Sequence, residues 1–241
     1  MIRFDARPIS DEALPLWLIC FTEDGQEEIR ALLSLLSEDG VMLSAADGEK
    51  AVAQALLLPL TLDGREGYYL YAVGTHPDYR GRGYMRACLL AAREYAEERK
   101  KDFLILIPAT AQLGDTYRHA GFTVELPLSA DERGEHPVYR LQEGERLLPF
   151  DGDLRELYRR YGGECSFSLF CATLLSLSDT TRVWYTEEGG FCVLSREGDA
   201  CFLADRATLS RCKTSKSPYR ALLCPLSPAP FTRENADPLP R

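Results

Sequence analysis

Between residues 66 and 108 the hydrophobic period changes three times, and that order narrows the fold to one built around a parallel strand pair. An apolar, tyrosine-rich run at 68–73 lies within a strand reading from Glu66 to Thr75 and stops at His76-Pro77. A short basic loop follows, Arg80-Gly81-Arg82-Gly83. From 83 to 100, Leu89, Leu90, Ala92 and Ala96 form an apolar stripe while Arg93, Glu94, Glu97 and Glu98 face water, as in an amphipathic helix. Phe103-Leu104-Ile105-Leu106-Ile107 is then continuously apolar and ends at Pro108, the pattern of a strand covered on both faces. A helix joining two strands of one sheet is a βαβ crossover and sets the strands parallel.

The loop leaves a strand and opens a helix, which is a place to hold a phosphate. Two glycines let the backbone come close to a ligand. The first helical N–H groups have no partner of their own, and the helix dipole favours an anion there. Arg80 and Arg82 add charge-assisted hydrogen bonds. A basic surface turn ahead of an ordinary helix would look the same over the loop alone. Neither Gly-x-x-x-x-Gly-Lys-Ser/Thr nor Gly-x-Gly-x-x-Gly is present, so the triphosphate P-loop and the dinucleotide fingerprint both fail.

Upstream, residues 2–8 read as a strand, and Ser10-Asp11-Glu12 cap and charge the start of a helix in which Pro15 falls early. Ile29, Leu32, Leu33 and Leu36 mark a second helix at 26–36. Asp39-Gly40, Asp47-Gly48 and Asp63-Gly64 divide 41–75 into an antiparallel meander of three strands. Downstream come a helix at 109–120, closed by Gly121, and a strand at 122–127, with 136–141 expected as the partner completing the sheet. A first domain is expected over 1–147, followed by a linker around 143–153. Residues 148–241 are expected to form a smaller α+β domain, with helices at 153–160 and 166–178 and strands at 181–186, 190–195 and 200–204. Two helices and three strands repeat the element order of 10–75, so this part reads as a degenerate half-copy. Its segment 211–216 lacks a glycine and carries no second phosphate loop. The proline-rich end, 225–241, reads as a strand end and a loose tail.

The net charge of −9 is uneven. Residues 1–72 carry a net −8, residues 73–120 a net +2 and residues 121–241 a net −3. The positive segment is the one expected to meet a polyanion, and the acidic one would welcome a cationic acceptor. No basic face speaks for nucleic acid, and no run of about 18 apolar residues speaks for a membrane span. Eight scattered cysteines without a Cys-x-x-Cys pair fit reduced thiols rather than a metal site. The N-terminus lacks the apolar stretch of a signal peptide, so the expectation is a cytoplasmic protein.

Arg80, Gly83 and Met85 stand at the positions of Arg-x-x-Gly-x-(Gly/Ala), and Tyr117 to Phe122 reads Tyr-x-x-x-Gly-Phe. With the strand, helix and strand in the same order, the chain resembles the GNAT acyltransferase superfamily over about 1–145, most specifically over 68–122. Met85 departs from the small residue of the pattern. The resemblance implies an α/β fold: a mixed, mostly antiparallel sheet whose parallel central pair splays apart, flanked by helices. It also implies acetyl-CoA as co-substrate, with no metal. Pantetheine would lie along Val73 and Thr75, and Arg80, Gly81, Arg82, Gly83, Tyr84 and Met85 would offer N–H groups to the pyrophosphate. The tyrosine of the second motif, Tyr117, would be the acid that meets the leaving thiolate.

The resemblance further implies acetyl transfer to a primary amine, a small molecule or a protein amino group, by direct attack. A lysine-like amine with pKa about 10.4 is mostly protonated at pH 7, and freeing it costs roughly 4.6 kcal/mol. Where some relatives carry a strand glutamate this chain has Tyr69, leaving Glu66 as the nearest carboxylate for the base. His76 is the other candidate near the loop. Tyr69 and Tyr71 share one strand face and Tyr68 the other, so one face could line an acceptor pocket. The alternative function is a non-catalytic CoA-binding or ligand-sensing module. Residues 148–241 would either wall the acceptor pocket or form a homodimer surface.

Overall fold

The structure, a computed structural model, describes residues 2–22, 25–62, 64–127, 135–138, 147–149, 153–161, 166–175, 181–186, 191–195, 201–204, 213–216 and 220–226. Strand β1 (Asp5–Pro8) leads to a single 3-10 turn, Asp11–Ala13, where Ser10 Oγ accepts from the Glu12 N–H at 3.4 Å. Helix α1 (Leu14–Cys20) takes Pro15 in its first turn, and α2 (Gln26–Leu36) buries Ile29, Leu32, Leu33 and Leu36. The meander is β2 (Val41–Asp47), β3 (Lys50–Leu62) and β4 (Arg65–Thr75). Then come α3 (Tyr84–Glu98), β5 (Phe103–Leu106), α4 (Ala111–His119), capped by the Thr110 hydroxyl, and β6 (Val124–Pro127). The later elements are β7 (Glu135–Val138), β8 (Leu147–Pro149), α5 (Leu154–Tyr161), α6 (Phe167–Leu175), β9 (Thr181–Thr186), β10 (Phe191–Ser195), β11 (Cys201–Ala204), β12 (Lys213–Lys216) and β13 (Arg220–Pro225).

Seven strands form the main sheet in the order β1-β2-β3-β4-β5-β13-β6. Every neighbouring pair is antiparallel except β4 and β5, the parallel pair joined through α3. Helices cover both faces, which gives two cores. One holds Trp17, Leu33, Leu36, Leu56, Leu58, Phe103, Leu169 and Ala172 under α1, α2 and α6. The other holds Leu57, Tyr68, Leu70, Cys88, Leu89, Leu104 and Tyr117 under α3 and α4. A smaller sheet runs β11-β10-β9-β8, and β12 pairs with β7.

One expectation about the sheet is corrected. The strand beside β5 is β13, and of the expected 136–141 strand the described residues 136–138 belong to β7, which pairs with β12, while 139–141 lie outside the described residues. Composition explains the choice. Leu222, Leu223 and Cys224 are buried and can be covered on both faces. Glu135-His136-Pro137-Val138 carries a proline that removes a ladder donor, which a central strand does not tolerate. The sheet therefore draws strands from both sides of residue 147, and everything between β6 and β13 is inserted between two strands that share one partner ladder.

That inserted stretch is fastened to the α2–β2 turn. Arg155 makes a two-pronged ion pair with Glu38, at 2.8 and 2.6 Å, and stacks over Phe167. Asp39 lies at the start of α6 against Ser168 and Phe167, with one carboxylate oxygen buried and unpaired. Burial raises its pKa, outweighing the hydrogen bonds from Ser168 and Phe167 that lower it. A raised folded-state pKa means stability present below the ordinary carboxylate pKa and lost as pH rises through the raised value. Asp39→Asn keeps a capping side chain without the charge. It should melt a few degrees above the parent at pH 7, with the gap closing at pH 4. Thermal melts at the two pH values check this; a mutant melting lower at pH 7 would contradict it.

Candidate active site at the split of the central strands

Strands β4 and β5 pair at only three positions, Gly67 with Phe103, Tyr68 with Leu104 and Tyr69 with Ile105. Beyond them β4 runs on to Thr75 with no strand beside it on that flank among the described residues. Backbone N–H and C=O groups of 70–74 on that flank are thus open to a ligand. A bulge interrupts the other flank. Tyr71 pairs with Leu56 and Gly74 with Gln54, so Ala72 and Val73 together face Ala55, with Ala72 at φ 47°. Such bulges turn a strand and re-aim its backbone groups.

The chain then makes a 3-10 turn, Pro77–Tyr79, and enters the basic loop. Gly81 and Gly83 both have positive φ, 75° and 84°, and an added Cβ would meet nothing within 4 Å. Glycine is required there by the backbone conformation, not by crowding. Gly83 is the N-cap of α3 and offers no side chain, so the N–H groups of Tyr84, Met85 and Arg86 point out of the helix end. The side chain of Met85 turns away and packs with Val73 against the α3–α4 core.

Tyr79 holds the loop in place, a role the sequence did not announce. Its hydroxyl donates to Asp47 Oδ2 at 2.8 Å, tying the loop to the β2–β3 hairpin. His76 and Tyr84 meet its ring edge-on, each with centroids 5.7 Å apart. The Arg82 guanidinium sits over the same ring at 5.1 Å and Lys50 at 5.6 Å. Arg80 is turned back: its Nε donates to the Thr75 carbonyl at 3.2 Å, and its charge lies beside the Cys20 thiol. His76 is spent on structure, its Nδ1 accepting from the Asp78 N–H at 3.2 Å. Tyr79→Ala should weaken CoA binding about 10-fold by releasing Arg82, while Tyr79→Phe, which keeps the ring, should stay within about 3-fold. Calorimetric titration of CoA into each variant reads this; equal losses in the two would show that the ring does not matter.

Tyr117 comes from α4 to the α3–α4 side of the split. It is 6 % exposed, stands edge-on to Phe122 at 5.9 Å, and has no hydrogen-bond partner for its hydroxyl among the described residues. Burial, with Cys88 nearby, pushes its pKa up to about 12, so it keeps its proton throughout the working range. On the opposite face Tyr69 and Tyr71 lie together, and burial raises the pKa of Tyr69, with the hydroxyls of Tyr71 and Tyr117 adding to the shift. Tyr117 thus belongs to the core on one face of the sheet and the Tyr69–Tyr71 pair to the core on the other, close enough for Tyr117 to affect the ionisation of Tyr69.

Glu66 is not brought to this site. It sits beside the closed end of the strand pair, 66 % exposed, with its carboxylate held by Lys101 Nζ. The hydrogen bond from Lys101, then its charge, lowers the Glu66 pKa, the wrong direction for a base. Four residues of strand separate it from Leu70, where the split opens, about 13 Å. The expectation rested on nearness in sequence, and an extended strand makes that a long distance.

Among the described residues no His, Cys, Asp and Glu side chains gather as metal ligands, and no helix is long and apolar enough to cross a membrane. Cys88, Cys171 and Cys224 are buried free thiols and Cys20 is half-buried.

Residues 9–124 match the family model described as an acetyltransferase (GNAT) domain. A putative acetyltransferase from Pyrococcus horikoshii shares the fold at TM-score 0.52 and 13% identity, covering 98% of this chain and 92% of that one. A protein from Enterococcus faecalis V583, described as of unknown function and a probable N-acyltransferase, gives 0.51 at 13% identity, over 87% and 60% of the two chains. A GCN5-related N-acetyltransferase from Anabaena variabilis gives 0.51 at 20% identity, over 82% and 56%. The chain thus spans little more than half the length of the last two. Comparison with curated proteins found no match.

Proposed function

We propose that the chain, whose residues 9–124 match the GNAT acetyltransferase domain model, is an N-acyltransferase moving an acetyl group from acetyl-CoA to a primary amine by direct attack. The observation that carries this is the open flank of β4 leading straight into the Gly81–Gly83 loop and the bare N-terminus of α3. The residues fit the group: an unobstructed glycine cradle, unpaired helix N–H groups and a free strand flank match a pyrophosphate followed by an extended arm. When bound, acetyl-CoA supplies the activated acyl group, and the protein supplies binding and orientation.

Val73 lies in the bulge beside the reacting centre, and its backbone is the partner for the arm. Thr75 contributes less than expected, because its carbonyl is taken by Arg80. Tyr84, Met85 and Arg86 N–H groups take the pyrophosphate, with Arg82 reinforcing them. Tyr117 donates a hydrogen bond to the leaving sulfur. In balance, the amine nitrogen bonds to the acyl carbon, the carbon–sulfur bond breaks, and the proton lost by nitrogen ends on sulfur. Among the described residues no carboxylate is placed to carry that proton, so water relays it.

The test is a thiol-release assay with acetyl-CoA over a panel of primary amines, alongside calorimetric titration of CoA. Amine-dependent release supports the reading. Binding without release for any amine would leave a CoA-binding module, and absence of binding would remove both.

A further inference from the structure

On β3 the residues facing α1 and α2 read Gln54, Leu56, Leu58, Leu60 and Leu62, a buried leucine row with one polar member. Gln54 is 1 % exposed, and its side-chain nitrogen has no hydrogen-bond partner among the described residues. A leucine there would avoid the cost of an unmet amide. The position is telling. Gln54 pairs in register with Gly74, next to the bulge at Ala72 and Val73 where the β4 backbone is re-aimed. The end of α1 lies over that pair, Cys20 Sγ and Phe21 standing 3.0 and 3.7 Å from where a Gly74 Cβ would be. Cys20 in turn touches Arg80 of the phosphate loop.

Beside the amide, on the same face, is a wall of rings. Trp17 meets Tyr71 edge-on at 5.6 Å and Phe21 at 5.8 Å, and Tyr69 lies 6.2 Å from Tyr71. Tyr71 faces Leu56, two strand residues from Gln54, or about 7 Å along the strand. Among the described residues no carboxylate belongs to this wall, so it is poorly made for a polyamine.

Resting on the acyltransferase reading above, we infer that the acceptor is an aromatic amine with a carbonyl next to the amine-bearing carbon, of the aromatic amino acid or amino amide class. Its ring lies against Tyr71, Tyr69 and Trp17, and its carbonyl oxygen accepts from the Gln54 carboxamide. Gln54 is then a specificity-determining residue. The acceptor is the partner that its amide lacks among the described residues.

The experiment compares L-phenylalaninamide, L-phenylalanine, phenethylamine and spermidine as acceptors, with the full chain and with Gln54→Leu. The wild type should favour a carbonyl-bearing aromatic amine over phenethylamine at least 10-fold in kcat/KM. Gln54→Leu should erase that preference while leaving phenethylamine within about 2-fold, and should melt no lower than the parent, since it completes the leucine row. The amide and the free acid distinguish a neutral carbonyl from a carboxylate. Equal losses for all acceptors, a preference for spermidine, or a lower melting temperature with uniform loss would overturn the inference. Calorimetric binding of L-phenylalaninamide to both proteins gives a readout independent of turnover. Binding that Gln54→Leu weakens 10-fold upholds the site even if no thiol is released, whereas thiol release without this difference upholds only the acyltransferase.

Discussion

Tyr117→Phe should lower kcat by about 10²-fold and leave the KM for acetyl-CoA within about 2-fold. The substitution removes one oxygen from a side chain otherwise packed against Phe122 and the α3–α4 core. The fold should hardly notice, because the hydroxyl has no partner among the described residues whose loss would leave a buried group unmet. Only an interaction formed as the carbon–sulfur bond breaks is lost, and such an interaction shows in kcat rather than in cofactor affinity. The pKa of about 12 sharpens the expectation. A raised pKa keeps the phenol neutral and able to donate at every pH below that value. The rate should therefore rise from pH 7 to 10 as the amine loses its proton, with no alkaline decline. A decline centred near 10, the ordinary phenol value, that disappears in Tyr117→Phe would place the hydroxyl in water rather than in the buried split. Unchanged kcat in the variant would take Tyr117 out of the reaction.

Much of this was legible because local chemistry decided it. The switch from a tyrosine-rich strand to glycine loop to amphipathic helix to apolar strand specifies a crossover, and the parallel pair β4–β5 follows from its handedness alone. Tyr69 and Tyr71 fall on one face and Tyr68 on the other for the same reason, a strand period of two. What stayed hidden depended on partners far apart in sequence. The neighbour of β5 is β13, more than a hundred residues on, and nothing local distinguishes Leu222 and Leu223 from any short apolar run. The bulge is carried by Ala72, which bears no mark of a positive φ where a glycine would have. Tyr79 could be identified as the anchor of the loop only once the hairpin brought Asp47 and Lys50 beside it. Gln54 was the one missed residue with a sequence signal, a lone amide in a leucine-rich strand. Periodicity predicts that such a residue is buried; whether it is satisfied needs coordinates.

Gly83→Val should weaken CoA binding by roughly 10- to 100-fold while moving the melting temperature only a few degrees. The left-handed conformation at φ 84° costs an L-residue about 1–2 kcal/mol, and a β-branched one more. The chain has two ways to respond. It can hold the conformation and absorb the strain, which lowers stability, or rotate the N-cap out of the left-handed region, which swings the N–H groups of Tyr84 and Met85 off the anion. Nothing within 4 Å of a Gly83 Cβ resists the second response, since the loop is exposed and a side chain there touches no neighbour. Tyr79 restrains Arg82 and Tyr84 through their side chains, not the peptide between them. Relaxation should therefore win, and the damage should appear in cofactor affinity. Gly64, also at positive φ with open space around it, is the control: Gly64→Val carries the same strain in the β3–β4 turn, away from the loop. It should shift the melting temperature comparably and leave CoA affinity alone. Equal loss of affinity in the two variants would mean that the first acts through general destabilisation, and that the helix end at Gly83 is an ordinary turn rather than a phosphate cradle.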